Sequence, residues 1–267
     1  MTKGNKRGSS GGRRDASRER GEETAHVAGR RPVLELLKSG SPVHRVLIAQ
    51  GLAPSGVLGE IRRRAESASI PLRMVPRTEL DRLAGGVNHQ GAVAEAGSFR
   101  YTQLTELLEV DSPALLFLDG VTDPHNLGSL LRTADGAGFT GIVVPSRRSV
   151  SVTPAVRKVS AGAAEVVPVA RVANLGRAIE EAQQAGVWIV GLAGDATANV
   201  WTSELMTPPL GLVLGAEDRG ISKSVRDRCD ELVRIPQGGR IGSLNVAVAG
   251  AVAMFEVARR RDPSATL

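Results

Sequence analysis

Three stretches of this chain place glycines and polar side chains just where an apolar run has ended. They are LDGVTDPHNLGSLLRTADGAGF (Leu118 to Phe139), LVLGAEDRGIS (Leu212 to Ser222) and RIPQGGRIGSLNVAVAGAV (Arg234 to Val252). Glycine lets a backbone approach a ligand closely, and the amides it leaves open can hydrogen-bond an adenine or a carboxylate. In sheets built from alternating strands and helices, ligands bind beyond the carboxyl ends of the strands, which is where such loops lie. The chemistry indicated is that of an organic ligand gripped through main-chain groups. A dinucleotide or P-loop site is excluded, since no GxGxxG follows the first strand of the series and no GxxxxGK[ST] occurs. His26, His44, His89 and His125 show no metal-ligand spacing, so no metal is expected. The histidines read as surface or loop residues, with His125 the candidate exception because it lies inside the first stretch. Cys229 follows no cysteine-nucleophile pattern and reads as structural.

Each stretch requires a strand before it and a helix after it. The run ALLFLD ends at Asp119, and Leu127, Leu130, Leu131 and Ala134 follow at the i, i+3, i+4, i+7 spacing of a helix with one buried face. Asn126 is placed to cap that helix, Arg132 and Asp135 point away from its apolar stripe, and Gly138 can end it in a left-handed turn. GIVVP from Gly141 reads as the next buried strand. Helix starts at Thr153-Pro154, Asn174 and Ser222 alternate with VVPVARV, VWIVGLAG, LGLVLG and ELVRIP, and a last helix, Leu244 to Arg261, has Ser243 as its cap. Such alternation predicts an α/β fold with a parallel sheet covered on both faces.

Upstream lies a second, smaller series. It predicts a helix over Pro32 to Lys38, a strand HRVLIAQ from His44, a helix VLGEIRRRAESAS from Val57, a strand PLRMVP from Pro71, a helix TELDRLAG from Thr78 and a strand over Gly91 to Glu95. Residues 1–23 are glycine, serine and charge with almost nothing apolar, and cannot repay the entropy of ordering. The expected division is a disordered basic tail at 1–23, a small α/β domain at 24–98, a linker at 99–111 and a larger α/β domain at 112–267.

The 267 residues are 42% hydrophobic and 23% charged, which excludes wholesale disorder and fibrous repeats. The longest purely apolar stretch, Val246 to Phe255, is about half of what a membrane-spanning helix needs. The basic N-terminus lacks the apolar core of a secretory signal, and a lone cysteine fits a reducing compartment, so a cytoplasmic protein without a membrane partner is expected. The net charge of +6 is unevenly spread: residues 1–23 carry +3, residues 24–98 carry +4 and residues 99–267 carry −1. Phosphate neutralisation dominates non-specific nucleic-acid affinity, so a basic front and a neutral back assign a polyanion to the front. The plainer alternative is that Arg62, Arg63 and Arg64 only solvate a helix face. Seven aromatic residues are too few for a base-stacking sheet, and RNA contact would rest on shape and backbone. Deleting residues 1–23 is expected to flatten the salt dependence of polyanion binding.

Taken together and in order, the three stretches resemble the SpoU (TrmH/RlmB-like) branch of the SPOUT methyltransferases. DPHNLGSLLRTADGAGF is similar to that family's first motif, LVLGAEDRGIS to its second and IPQGGRIGSLNVAVA to its third. In front of them, GRRPVLELL and NHQGAVA resemble the substrate domain of RlmB-type 23S ribosomal RNA guanosine-2′-O-methyltransferases, itself similar to a ribosomal-protein RNA-binding module. The resemblance runs over about residues 26–261. Two departures stand out: Asp218 and Arg219 precede Gly220 where a small residue usually follows the glutamate, and Gln237 and Gly242 replace a frequent Met and Ser.

The resemblance implies a 2′-O-ribose methyltransferase that uses S-adenosyl-L-methionine, a C-terminal trefoil knot around the cofactor, and an active site completed at a homodimer interface. Carried across motif by motif, it implies cofactor contacts at Gly215, Ile235 and Leu244, and polar groups around the reacting centre at Asn126, Arg132, Glu217, Ser243 and Asn245. In-line methyl transfer from a sulfonium needs the ribose hydroxyl aligned, its proton removed and water excluded. A guanidinium is effectively never neutral in a protein, so Arg132 is expected to pair with an RNA phosphate or the developing alkoxide rather than to act as a literal base. Plainer roles stay open: an exposed helix arginine for Arg132, a helix-start carboxylate for Glu217, and capping alone for Asn126 and Ser243. The expected partner is 23S ribosomal RNA or a ribosome-assembly intermediate. A transfer RNA substrate, a resistance role against an antibiotic, and a noncatalytic assembly factor are the alternatives.

Overall fold

In the computed structural model the described residues are 25–261, apart from 40, 87, 240 and 241. The tail expected at 1–23 lies outside them. The first of two sheets contains β1 (Ala25–Ala28), β2 (Val43–Ala49), β3 (Leu72–Val75) and β4 (Ala92–Ala96), in the order β1-β4-β2-β3, with helices α1 (Arg30–Lys38), α2 (Gly56–Ser67) and α3 (Arg77–Ala84). Strand alternation divides its core. Val46 and Ile48 of β2 face Val33, Leu36, Leu58 and Ile61 of α1 and α2, while Leu47 and Ala49 face Leu80 of α3. β1 was not expected as a strand, because AHVA is too short to show a period; antiparallel pairing with β4 is what makes it one.

On β4 the carboxylate of Glu95 accepts hydrogen bonds from Arg45 Nε at 2.5 Å and Nη2 at 2.6 Å. These bonds hold the Glu95 carboxyl below the usual carboxylate range against the opposing effect of burial. A depressed folded-state pKa adds stability that is present above the unfolded value and lost as pH falls through the folded one. Glu95→Gln is therefore expected to flatten the acid limb of a plot of melting temperature against pH.

The stretch expected as a linker is partly helical. Gln103 and Glu106 form a capping box for α4 (Leu104–Leu108), and Leu104 and Leu107 bury against the second sheet. That sheet contains β5 (Ala114–Asp119), β6 (Gly141–Pro145), β7 (Val169–Val172), β8 (Trp188–Leu192), β9 (Ala198–Asn199), β10 (Leu210–Gly215) and β11 (Glu231–Arg234). All pairs are parallel, in the order β7-β6-β5-β10-β8-β11-β9. The helices are α5 (Pro124–Gly136), α6 (Pro154–Val159), α7 (Leu175–Gln184), α8 (Lys223–Arg226) and α9 (Val246–Arg261). They cover both faces, as the alternation predicted: Leu116 and Leu118 of β5 face α5 and α9, whereas Leu115 and Phe117 face α4, α7 and α8. A Cβ at Gly250 of α9 would stand 2.6 Å from Leu130 of α5 and 2.7 Å from Leu214 of β10, so glycine sets how closely that last helix docks.

The two sheets meet where α6 approaches β1 and where α1 approaches the 3₁₀ turn Ala163–Glu165. Arg157 and Glu165 pair there at 3.1 Å with side chains 3% and 1% exposed. The Arg157 guanidinium lies over the Phe99 ring, and Ser41 Oγ of the first unit donates to Glu165 Oε2 at 3.4 Å. No helix among the described residues is long and apolar enough to cross a membrane.

Candidate active site

β5 and β10 are neighbours in the sheet, with Asp119 opposite Gly215, so the first two glycine-rich stretches leave the sheet side by side. The turn after β10 is closed. Ala216 and Gly220 exchange backbone hydrogen bonds of 3.1 and 2.8 Å, Gly220 has φ 65°, and the Asp119 carboxylate accepts from Ser222 N at 2.6 Å. Gly215 lies under this turn, where a Cβ would stand 2.0 Å from the Gly220 carbonyl carbon. Gly215→Ala is expected to displace the turn, lowering stability by about 1–3 kcal/mol and weakening S-adenosyl-L-methionine binding. Thermal melts and equilibrium dialysis would detect both, and wild-type values in each would refute the packing argument.

The turn presents Glu217. Asn126 Nδ2 donates to Glu217 Oε1 at 2.9 Å; Asn245 Nδ2 donates to the same oxygen at 2.5 Å and to Asn126 Oδ1 at 3.0 Å. Side chains from all three stretches thus converge on one carboxylate, with Asn126 only 7% exposed. Hydrogen bonds to an ionised acceptor are stronger than neutral ones, so this knot of three residues ties the turn to the starts of α5 and α9.

Both expected caps are corrected. Asp123 caps α5: its Oδ1 accepts from His125 N at 2.8 Å, and Pro124 occupies the first turn. Proline brings a preset φ and no orphan N–H to that position, so Asp-Pro outcompetes a start three residues later and leaves Asn126 inside the helix. The last helix begins at Val246 rather than Leu244, and its cap is Asn245 rather than Ser243. Asn245 Oδ1 accepts from Ala247 N at 3.0 Å and from Val248 N at 3.2 Å. One side chain therefore spends its oxygen on the helix and its amide on Glu217.

Two cavities flank this cluster and share Ala216, Glu217 and Val246. The first, about 220 Å³, is lined by Gly215, Ile235, Ser243 and Leu244. Leu192, Ala193 and Gly194 after β8 line it as well and were not singled out from sequence. The available signal was their place at the end of an apolar strand. Leu192, Leu214, Ile235 and Leu244 make aliphatic walls, and nothing stands within 4 Å of where a Cβ would be at Gly194 or Gly242, so main-chain groups are open there. Such a lining fits an adenosine, and the Glu217 carboxylate on the shared wall fits a sulfonium cation. The second cavity, about 380 Å³, is polar, with Thr122, Asp123, Asn126, Asp218 and Arg219 in its lining. The two residues that depart from the second motif thus face this polar space.

Arg132 is exposed, lines neither cavity and has no hydrogen-bond or ion-pair partner among the described residues. Six residues beyond Asn126 on α5, it stands about 9 Å further along the helix axis, so one chain does not bring it to the cluster. His125 is exposed and lines neither cavity. His89 is a loop residue, as expected, but not a surface one. It is buried before β4, where Nδ1 accepts from Gly91 N at 2.9 Å and Nε2 lies 3.0 Å from Asp81. Burial pushes the Cys229 thiol up to about 12, which keeps it protonated and unreactive at neutral pH. No group of three or more potential metal ligands gathers among the described residues.

Comparison with known proteins covers both sheets. Residues 113–255 match the SpoU rRNA methylase family, and residues 26–102 match the RNA 2′-O ribose methyltransferase substrate-binding family. The 23S rRNA (guanosine-2′-O-)-methyltransferase RlmB of Pseudomonas putida is 47% identical over 198 residues, which are 72% of this chain and 79% of that protein. YacO of Bacillus subtilis, named as a TrmH family tRNA/rRNA methyltransferase, is 39% identical over 243 residues, 89% of this chain and 96% of YacO. Among solved structures, the SpoU methyltransferase AviRb from Streptomyces viridochromogenes in complex with AdoMet aligns with a TM-score of 0.75 at 25% identity, covering 90% of this chain and 91% of AviRb. With its three glycine-rich stretches gathered at one end of a parallel sheet and its match running through all of them, the chain belongs to the SpoU rRNA methylase family.

Proposed function

We propose that this protein methylates a ribose 2′-hydroxyl of 23S ribosomal RNA with S-adenosyl-L-methionine, acting as a cytoplasmic homodimer. The observation that carries the reading is the Asn126–Glu217–Asn245 cluster on the wall between an aliphatic cavity with open main-chain groups and a polar one. The bound cofactor supplies an activated methyl on a sulfonium. Gly215, Ile235 and Leu244 hold its adenosine, and Ser243 lies at the polar end of the same cavity. Glu217, held by the two asparagines, sets the charge at the boundary and orients the ribose against the cofactor. Arg132 pairs with an RNA phosphate or the developing alkoxide, where a preorganised cation lowers the barrier.

Residues 24–98 serve as the RNA-binding domain and residues 112–267 as the catalytic domain, with 99–111 joining them. The front carries the positive charge, and the RlmB relatives are named for 23S rRNA. The path from β11 past the ends of β8 and β10 into α9 is taken as the trefoil knot. The homodimer is supported by an apolar stripe beside α5, in which Leu244, Val248 and Phe255 are 38%, 50% and 39% exposed. A second copy covering that stripe would bring its own Arg132 to this site. The test is radiolabelled methyl transfer to undermethylated ribosomal RNA and to bulk transfer RNA, followed by digestion to nucleosides. Label on a 2′-O-methylated nucleoside of 23S rRNA is expected; label on transfer RNA alone would reassign the substrate, and none on either would overturn the activity.

A further inference from the structure

The polar cavity of about 380 Å³ lies across Glu217 from the aliphatic one, and its lining includes both residues that depart from the second motif, Asp218 and Arg219. Three carboxylates line it with a single guanidinium. Glu217 Oε1 is taken by Asn126 and Asn245, and Asp123 Oδ1 by His125 N. Asp218 and Arg219 are exposed and have no hydrogen-bond or ion-pair partner among the described residues. The backbone that carries them is nonetheless fixed, because the bonds between Ala216 and Gly220 close the turn around them. The Arg219 guanidinium reaches across to the loop after β5, where a Cβ added at Gly120 would stand 2.9 Å from its Nη2. Val121 and Val246 supply an apolar part of the same lining.

We propose that this cavity receives the base of the nucleotide being methylated and selects guanine, with Asp218 accepting from N1–H and N2–H and Arg219 donating to O6 and N7. The inference rests on an RNA ribose being the methyl acceptor. With the 2′-hydroxyl held at Glu217, the attached base has to enter a space next to that boundary, and the aliphatic cavity is the one assigned to the cofactor. A phosphate on Arg219 would face three carboxylates, so the polar cavity suits an uncharged ligand that carries both donors and acceptors. Of the four bases only guanine offers a carboxylate two adjacent donors and, beside them, offers a guanidinium two acceptors. Adenine and cytosine place a ring-nitrogen acceptor beside their amino group, and uracil flanks its one N–H with carbonyls. Each therefore sets an acceptor against the second oxygen of Asp218. Recognition by hydrogen bonds along a base edge does not draw on the aromatic residues that are scarce in this chain.

The test uses the full chain with undermethylated 23S rRNA as the probe. A small diazirine side chain in place of Thr122, on the wall of the same cavity, marks the nucleotide that enters it whether or not methyl is transferred. A single guanosine is expected. That nucleotide is then replaced in the RNA by inosine, which lacks the N2 amino group, or by 7-deazaguanosine, which lacks N7; both leave the protein unaltered. Each replacement should lower kcat/KM of the wild-type protein about five- to tenfold, since one bond of a bidentate pair is lost. In Asp218→Ala the inosine penalty should vanish and the 7-deazaguanosine penalty remain, and in Arg219→Ala the reverse. A crosslink to any other base, inosine accepted as well as guanosine by the wild type, or an inosine penalty undiminished in Asp218→Ala would each overturn the assignment. A guanosine crosslink, with affinity that falls on inosine in the wild type but not in Asp218→Ala, and no methyl transfer would remove the activity and leave the reading of guanine. Methyl transfer indifferent to inosine would do the opposite, and neither crosslink nor transfer would remove both.

Discussion

Arg132→Ala is expected to lower kcat about 10²- to 10³-fold while leaving S-adenosyl-L-methionine affinity unchanged, the loss typical of one preorganised donor at a developing oxyanion. The cavity lined by Gly215, Ile235 and Leu244, proposed to hold the cofactor, does not include Arg132, so the ground-state complex should not register its removal. Arg132→Lys keeps the charge but not the planar fork, and should recover only part of the rate. The position of Arg132 on the exposed face of α5 makes a sharper test possible. Arg132→Ala chains co-refolded with Glu217→Ala chains should regain activity that neither parent has. In a mixed dimer, one site keeps Glu217 from one chain and Arg132 from the other. A mixture as inactive as its parents would place Arg132 in its own chain's site or outside catalysis altogether.

Glu165→Ala is expected to cost about 3–5 kcal/mol of stability in urea unfolding, because it strands the Arg157 guanidinium in a buried site without its counter-charge. The double variant Arg157→Met with Glu165→Leu should be close to neutral, since both desolvation costs disappear together. A double variant as unstable as the single one would mean that the pair itself, rather than the stranded charge, holds the junction. Burial is the dominant influence on Glu165 and raises its pKa, outweighing the attraction of Arg157. A raised folded-state carboxyl pKa acts opposite in sign to Glu95. The penalty is absent below the unfolded pKa and grows as pH climbs through the folded one. The double variant should therefore lose a component of stability that declines with rising pH. Ser41 and Phe99 touch this pair from outside the second sheet, so Glu165→Ala should also speed proteolysis between the two units.

What could be read along the chain was whatever depends on neighbours within a few residues. The strands ALLFLD and LGLVLG announce themselves as unbroken apolar runs, and α5 by the spacing of Leu127, Leu130, Leu131 and Ala134. The helix starts at Thr153 and Asn174 were legible because each carries its own capping group: Thr153 Oγ1 accepts from Val156 N and Asn174 Oδ1 from Arg177 N. The three motifs were legible for the same reason, since glycine spacing is local, and their ends line the two cavities that flank Glu217. Even at this range competition matters: Asn126 and Ser243 were eligible caps that lost to Asp123 and Asn245 three and two residues away.

Tertiary structure alone decided what those asparagines do. Asn126, Glu217 and Asn245 are separated by 91 and 28 residues in the chain, and they meet because β10 inserts beside β5 while α9 returns to the same end. Strand order is a long-range choice, set by which buried faces pack together, and no local period encodes it. The same holds for Leu192 to Gly194 lining the cavity beside Gly215, for β1 becoming a strand, and for the buried Arg157–Glu165 pair. Sequence by itself determined most of the elements, the three glycine-rich loops and the family; the sheet order brought those separated loops together, because only packing brings distant residues within hydrogen-bond range.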